Sequence, residues 1–337
     1  MVRIVIIGSG DISRKRHIPG ILQASNGELR GFCNRSMERT EEAVSKWGGI
    51  AYRTYEDVLN DEDVDAVLIA TPTPTHYELT MRALRAGKHV LCEKPLALDS
   101  REAAEMVAAA VAENRKLMVC HVQRLYEPCQ WAKRLIASGE IGRVLSFRTF
   151  LGVKGTAAAP AAENLPWKNS VAELGSHRID LMRYLLHAEA KRVFAELTQL
   201  DRDKPDAALV SGDDNTMAIV EYENGIRGIM GFSRTSYGGN DRTTTIFGTE
   251  GVLTIYGEEC PLMLIRRSGE KICYPLTCEE QKKLEITNIH SLFFDCIEND
   301  TEPFISGSDG LAVMQVIDAM KESCREGRWT TVQKAEM

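Results

Sequence analysis

The sequence predicts a two-domain α/β protein, a doubly wound parallel sheet followed by a largely antiparallel one. Short apolar runs alternate with helical patterns through the first third, and after Gln123 β-type runs follow one another with a single helix among them. The 337 residues are also long for one hydrophobic core. In order, strands are expected near residues 3–7, 29–33, 66–70, 89–92 and 117–120, with helices near 13–25, 37–47, 77–86 and 100–114 between them. Unbroken apolar runs such as Ala66-Val67-Leu68-Ile69-Ala70 suit strands covered by helices on both faces. A linking helix near 128–137 leads to candidate strands at 144–150, 192–199, 215–222, 226–233, 243–247 and 252–256. Glu223-Asn224-Gly225 is a hairpin turn, because Asn-Gly accepts positive φ. Helices near 171–186, 286–298 and 309–326 complete the chain, and the alanine-rich stretch 155–162 reads as a loop.

Composition narrows the function. A 44% hydrophobic and 26% charged chain is an ordinary globular one, and a net charge of −7 without a long basic run argues against nucleic acid or anionic membrane as partner. Small molecules are the expected ligands. The first strand begins almost at Met1, no apolar run approaches the ~20 residues of a membrane span, and a cytoplasmic protein is expected. Nine cysteines, an odd number with no Cys-x-x-Cys pair, read as reduced thiols. Cys120-His121 does not read as a metal site, since adjacent strand residues point to opposite faces and no second ligand pair accompanies them. No metal is expected.

Three segments carry chemistry. Gly8-Ser9-Gly10 follows the first strand and, with Asp11, Ile12 and Ser13, opens a helix, where a tight glycine turn lets amide hydrogens receive a pyrophosphate. Ser13 replaces the usual third glycine. At the end of the second strand stand Asn34, Arg35 and Ser36, with Arg39 one turn on. The missing carboxylate and the arginine favour NADP(H) over NAD(H), although Arg35 is equally compatible with a solvated residue stacking on adenine. Thr71 and Pro72 follow the third long strand and line the nicotinamide side, as does His76, which reads at least as well as a buried histidine bonded to its loop.

Lys94, in Glu93-Lys94-Pro95, ends another strand abruptly, because proline has no amide hydrogen and restricts the residue before it. Open α/β sheets bind ligands at the carboxyl ends of their strands, so Lys94 and Glu93 are placed to meet a cofactor and substrate. In the later helix, ~100° per residue puts Glu173, His177 and Asp180 within about 60° of one another. Gly175 among them costs the helix ~1 kcal/mol, which implies a close approach to its backbone.

Gly8-Ser9-Gly10, His17, Thr71-Pro72, His76, Gly87-Lys88-His89-Val90-Leu91-Cys92-Glu93-Lys94-Pro95 and Glu173-x-Gly175-x-His177-x-x-Asp180 together resemble the glucose-fructose oxidoreductase, inositol dehydrogenase and rhizopine-catabolism (Gfo/Idh/MocA) family. Arg124-x-Tyr126-x-Pro128, Ser138-Gly139-Glu140-Ile141-Gly142 and Ser306-Gly307-Ser308-Asp309-Gly310-Leu311 extend the resemblance over nearly the whole chain. It implies a Rossmann domain over residues 1–122 and, over 123–337, a substrate-binding α/β domain with an open, mostly antiparallel sheet whose free face makes dimer or tetramer contacts. It implies oxidoreductase chemistry on a sugar, sugar derivative or cyclitol, with Lys94 bonding the reacting oxygen and His177 moving its proton. Glu173, where the family more often has aspartate, takes an orienting role, and Asp180 orients His177 or anchors the helix. Many relatives have a glycine triplet some residues before this helix, whereas here Leu165-Pro166-Trp167-Lys168-Asn169-Ser170-Val171-Ala172 runs straight into Glu173 and is shortened, and Lys168 reads either as a receptor for an acidic or phosphorylated sugar or as a solvated loop residue. Two other functions fit the same fold: a sensor that binds nucleotide or sugar without turnover, and a glycoside-processing enzyme that keeps its NAD bound.

Overall fold

Five of the six carboxyl ends of the first sheet stop level with one another. The structure, a computed structural model, describes residues 1–154, 169–201, 212–275 and 288–334. Among the described residues, its first unit comprises 1–121 and 288–314. There β1 (Val2–Ile7) leads through a π-helical turn (Ser13–His17) into α1 (Ile18–Gln23), followed by β2 (Gly27–Cys33), α2 (Met37–Trp47), β3 (Ile50–Ala51), α3 (Tyr55–Asn60), β4 (Ala66–Ile69), α4 (His76–Arg85), β5 (His89–Cys92), α5 (Ser100–Ala112) and β6 (Leu117–Val119). The sheet runs β3-β2-β1-β4-β5-β6, with every pair parallel. Ile7 pairs with Cys33 and Ile69, and Cys92 with Ile69 and Val119, so five strands end in register. All four residues of β4 are buried, as its unbroken apolar run requires.

Sequence reading missed α3, although Thr54-x-x-Asp57 forms a capping box there, each side chain bonding the other's backbone N–H. The doubly wound parallel sheet stands as expected. The assignment of residues 123–337 to the second domain changes for residues 288–314, which group with the first unit. The reason is tertiary: Val119 N donates to Ile305 O at 2.9 Å, and α8 (Ile289–Glu298) packs on α1, β1 and β2.

The second unit comprises residues 122–286 and 315–334. It holds α6 (Glu127–Ala137), β7 (Val144–Gly152), a π-helical turn (Val171–Gly175) running into α7 (Ser176–Leu186), then β8 (Ala190–Thr198), β9 (Asn215–Tyr222), β10 (Arg227–Ser233), β11 (Thr244–Gly248), β12 (Gly251–Ile255), β13 (Leu262–Arg266), β14 (Lys271–Tyr274) and β15 (Thr330–Thr331). The nine-stranded order is β14-β13-β12-β11-β7-β10-β9-β8-β15, antiparallel except where β7 meets β10. The expected hairpin joins β9 to β10, with Gly225 at φ +83°. Helix α9 (Gly307–Glu326) begins in the first unit and continues in the second.

One expectation is corrected. Cys260 and Cys273 form a disulfide rather than two reduced thiols, because the loop before β13 sets their Cα atoms 6.0 Å apart, a proximity that spacing alone does not show. Cys33, Cys92, Cys120, Cys129 and Cys296 are buried free thiols, and Cys324 is half-buried. Cys278 lies outside the described residues, as do the 155–162 loop and Lys168. No described helix is long and apolar enough to cross a membrane.

Candidate active site

The glycine turn is shaped by its neighbours. Gly8 has φ +94°, and a Cβ there would lie 2.8 Å from the Ala70 carbonyl oxygen, so any side chain is excluded twice over. Gly10 faces open space, with nothing within 4 Å of an added Cβ. Such a bare backbone at the carboxyl edge of a parallel sheet fits the close approach of a dinucleotide pyrophosphate. Ser13, in the place of the third glycine, is buried and donates its hydroxyl to the Gly8 carbonyl at 2.5 Å, which ties the turn to the helix. Ile12 is a 41% exposed apolar side chain just past the turn. Asp11 is exposed and paired with Lys15 at 3.0 Å, whose ammonium holds its carboxyl below the usual range.

At the end of β2, Asn34 is spent on the turn itself. Its Oδ1 accepts from Ser9 N at 2.7 Å and Ser9 Oγ at 3.0 Å, while its amide nitrogen reaches Thr40 Oγ1. Ser36 caps α2 by accepting from Arg39 N. The side chains of Arg35 and Arg39 are exposed and make no ion pair or hydrogen bond among the described residues. Sequence reading passed over Arg14, which donates to the Ser9 carbonyl at 3.0 Å and lies over Trp47. Only the fold brings it to the turn.

Thr71 and Pro72 follow β4, and Thr71 Oγ1 lies 2.7 Å from Thr75 Oγ1. His76 is 1% exposed and both its ring nitrogens are occupied, Nδ1 at 2.9 Å from the Pro95 carbonyl and Nε2 at 2.9 Å from that of Thr71. It staples the loop after β4 to the loop after β5. Burial pushes its pKa down, against the pull of the two carbonyls.

Glu93 continues the ladder of β5 past its last residue, donating its N–H to Ile69 O at 2.9 Å, and Lys94 follows, half-buried, at the same edge. Glu93 Oε2 accepts from the Lys94 backbone N at 2.9 Å, and Oε1 lies 3.0 Å from His17 Nε2. Burial works to raise the Glu93 pKa, yet the His17 bond and the nearby positive charges bring it down to about 2. Donor atoms of His17, Glu93 and Cys120 lie within 4.8 Å of one another. His17 already spends Nδ1 on His290 and Nε2 on Glu93, so the group reads as a hydrogen-bonded cluster rather than a metal site. A cleft of about 420 Å³ lined by Val2, Asp65, Lys88, His89 and Arg115 lies at the opposite, amino-terminal ends of the strands and includes none of these residues.

In the second unit the helical segment Val171–Leu186 carries Glu173, His177 and Asp180, and each is differently engaged. Asp180 is fully buried and takes a two-pronged bond from Arg124, Nε to Oδ2 at 2.8 Å and Nη2 to Oδ1 at 2.5 Å. Glu173 pairs with Arg234, which follows β10. His177 is half-buried. The approach implied by Gly175 is that of Phe232, whose Cε2 would lie 2.8 Å from an added Cβ. Arg124 belonged to a motif noted in the sequence, but its partner was not legible there, and Arg234 gave no signal.

With this geometry in place, comparison with known proteins is decisive. The profile of the Gfo/Idh/MocA oxidoreductase family with its NAD-binding Rossmann fold matches residues 2–121, and that of the Gfo/Idh/MocA C-terminal domain matches 129–254. The chain belongs to this family. It is 29% identical over 342 residues to a scyllo-inositol 2-dehydrogenase (NAD(+)) of Bacillus subtilis (strain 168), covering 97% of this chain and 95% of that one. It is 29% identical over 329 residues to a 1,5-anhydro-D-fructose reductase of Ensifer adhaerens, covering 92% of each. Among solved structures, levoglucosan dehydrogenase in complex with NADH and levoglucosan superposes with a TM-score of 0.88 at 26% identity, over 99% of this chain and 100% of that one. This Gfo/Idh/MocA protein is thus an oxidoreductase, a nicotinamide-dependent dehydrogenase or reductase.

Proposed function

We propose that the protein transfers hydride between a nicotinamide cofactor and a secondary alcohol or ketone of a sugar, sugar derivative or cyclitol. The observation that carries this reading is the level edge of the parallel sheet, where the bare turn at Gly8 and Gly10 and the strand end bearing Lys94 face the same way. The named activities of the relatives supply the substrate class. When bound, the nicotinamide supplies a two-electron hydride acceptor or donor. Gly8, Gly10, Asp11 and Ile12 hold the pyrophosphate side through the backbone of the turn, and Thr71 and Pro72 border the nicotinamide side. Lys94 donates a hydrogen bond to the reacting oxygen, and His177 takes the hydroxyl proton in oxidation or returns it in reduction. Glu173, held by Arg234, and Asp180, held by Arg124, fix the helix that carries His177.

The Bacillus subtilis dehydrogenase is named for NAD(+) and levoglucosan dehydrogenase is seen with NADH, whereas Arg35 and Arg39, exposed where a ribose-binding carboxylate would stand, favour NADP(H) slightly here. A homodimer or homotetramer through the free face of the second sheet completes the reading, because Met217, Ile219 and Ile229 are exposed there on neighbouring strands. The chemical assignment is tested by Lys94→Ala with an identified substrate. Turnover falls ~10²–10⁴-fold while nucleotide affinity stays nearly unchanged. Full turnover in that variant would overturn the assignment.

A further inference from the structure

A buried chain of hydrogen bonds within the first unit ends on the backbone of Lys94, and its proton count can be worked out from one end. Asn288 Nδ2 donates to the Gly20 carbonyl at 2.7 Å, which identifies the other amide atom as oxygen. That Oδ1 accepts from His290 N at 3.0 Å and lies 2.8 Å from His290 Nδ1. An amide oxygen only accepts, so His290 Nδ1 carries its hydrogen. The ring is 1% exposed, burial disfavours its charged form, and the carboxylate of the cluster lies on the far side of His17, so Nε2 is left bare. This bare nitrogen lies 2.9 Å from His17 Nδ1, which must therefore donate. His17 Nε2 in turn faces Glu93 Oε1 at 3.0 Å. With Nδ1 already protonated, the His17–Glu93 contact needs a second proton, and it is placed on His17 because Glu93, whose Oε2 already accepts from the Lys94 backbone N, then serves as an acceptor through both oxygens.

The sequence makes room for this arrangement. Gly20 lies within α1, and a Cβ there would sit 2.3 Å from His290 Nδ1 and 2.5 Å from Cε1. A helical glycine, unfavourable by about 1 kcal/mol against alanine, is the seat of the His290 ring. The other titratable groups around the pair are Arg16, Cys92, Lys94 and the Cys120 thiol, with His76 beyond.

We propose that His290 is a positioning residue: by offering only a lone pair to His17, it commits that imidazole to donating on both sides and so fixes Glu93 as the anion that seats the backbone of Lys94. The proton count stands on its own, whereas the effect on turnover rests on the catalytic reading of Lys94.

The test uses the full chain with histidine ring nitrogens labelled with ¹⁵N. In the unsubstituted protein His17 shows two protonated nitrogens and His290 one bare nitrogen. His290→Phe, which keeps the shape but offers no acceptor, makes His17 neutral and lowers kcat about tenfold with the nucleotide KM unchanged. His290→Gln, which can still accept, restores most of that loss, and Gly20→Ala, which evicts the ring without touching a titratable group, reproduces it. A bare nitrogen on His17 in the unsubstituted protein overturns the proposal whatever the kinetics, as do equal losses in His290→Phe and His290→Gln. Full turnover of Lys94→Ala beside a doubly protonated His17 overturns the catalytic reading and leaves the proton count supported.

Discussion

The two units hold their candidate residues by different means. In the first, Gly8, Asn34, Thr71, Glu93 and Lys94 stand where parallel strands stop in register, and main-chain geometry places them. In the second, Glu173, His177 and Asp180 ride on one helical segment whose rotation is set by side chains from elsewhere, Arg124 and Arg234. A strand edge is fixed by hydrogen bonds that every residue makes, whereas a helix face is fixed by a few particular pairs. The first arrangement therefore tolerates substitution of side chains, and the second is sensitive to the loss of one partner.

The largest expected effect tests that asymmetry directly. Arg124→Leu strands the fully buried Asp180 carboxylate, and removing one partner of a buried pair costs ~3–5 kcal/mol, read as a lowered urea midpoint with unchanged m-value. A loss below ~1 kcal/mol would show that the helix is held by its packing instead.

A second contrast lies in acid response. Glu93 has a folded pKa of about 2, below its ordinary value of 4.5, so its contribution to stability is complete above pH 4.5 and is lost as pH falls towards 2. Asp213 has the opposite sign. Burial raises its pKa despite bonds from Ser170 and Thr216, so it favours the fold at low pH and weakens it as pH rises above 3.8. Denaturation of Glu93→Gln between pH 2 and 6 is expected to show a shallower loss of stability on acidification than the parent, and Asp213→Asn a smaller decline as pH rises. Parallel curves for parent and variants would place the acid sensitivity elsewhere.

The smallest effect concerns the nucleotide. Replacing both Arg35 and Arg39 with alanine leaves the melting temperature of the free protein within about a degree, since exposed side chains without partners contribute little. The same change weakens NADP(H) by about tenfold, ~1.4 kcal/mol, and leaves NAD(H) unaltered, as followed by thermal shift with each nucleotide. Equal binding of both nucleotides before and after the change would remove the arginines from the cofactor site.

Much of the first unit could be read in advance because its signals are local. An apolar run stopping at Gly8, another stopping at Lys94-Pro95, and the alternation between them follow from strand and turn chemistry within a few residues. The features left unread are partners that come from distant chain. Asn34 braces Ser9; the close approach expected at Gly175 is that of Phe232; and His76, the loop-bonded histidine of one reading, has Pro95 as its second partner. The Cys260–Cys273 disulfide belongs with these, as does the return of residues 288–314 to the first unit.

By itself, the sequence determined the two-sheet architecture, the glycine turn, the lysine at a strand end and the polar face of the later helix. Periodicity and backbone restriction act over one to four residues and leave their mark in the order of amino acids. Only the tertiary structure decided what each polar group spends its hydrogen bonds on, and hence that a histidine from residue 290 faces one from residue 17. Such pairings are set by which elements pack together, and a buried donor takes whatever acceptor the packed fold brings within reach.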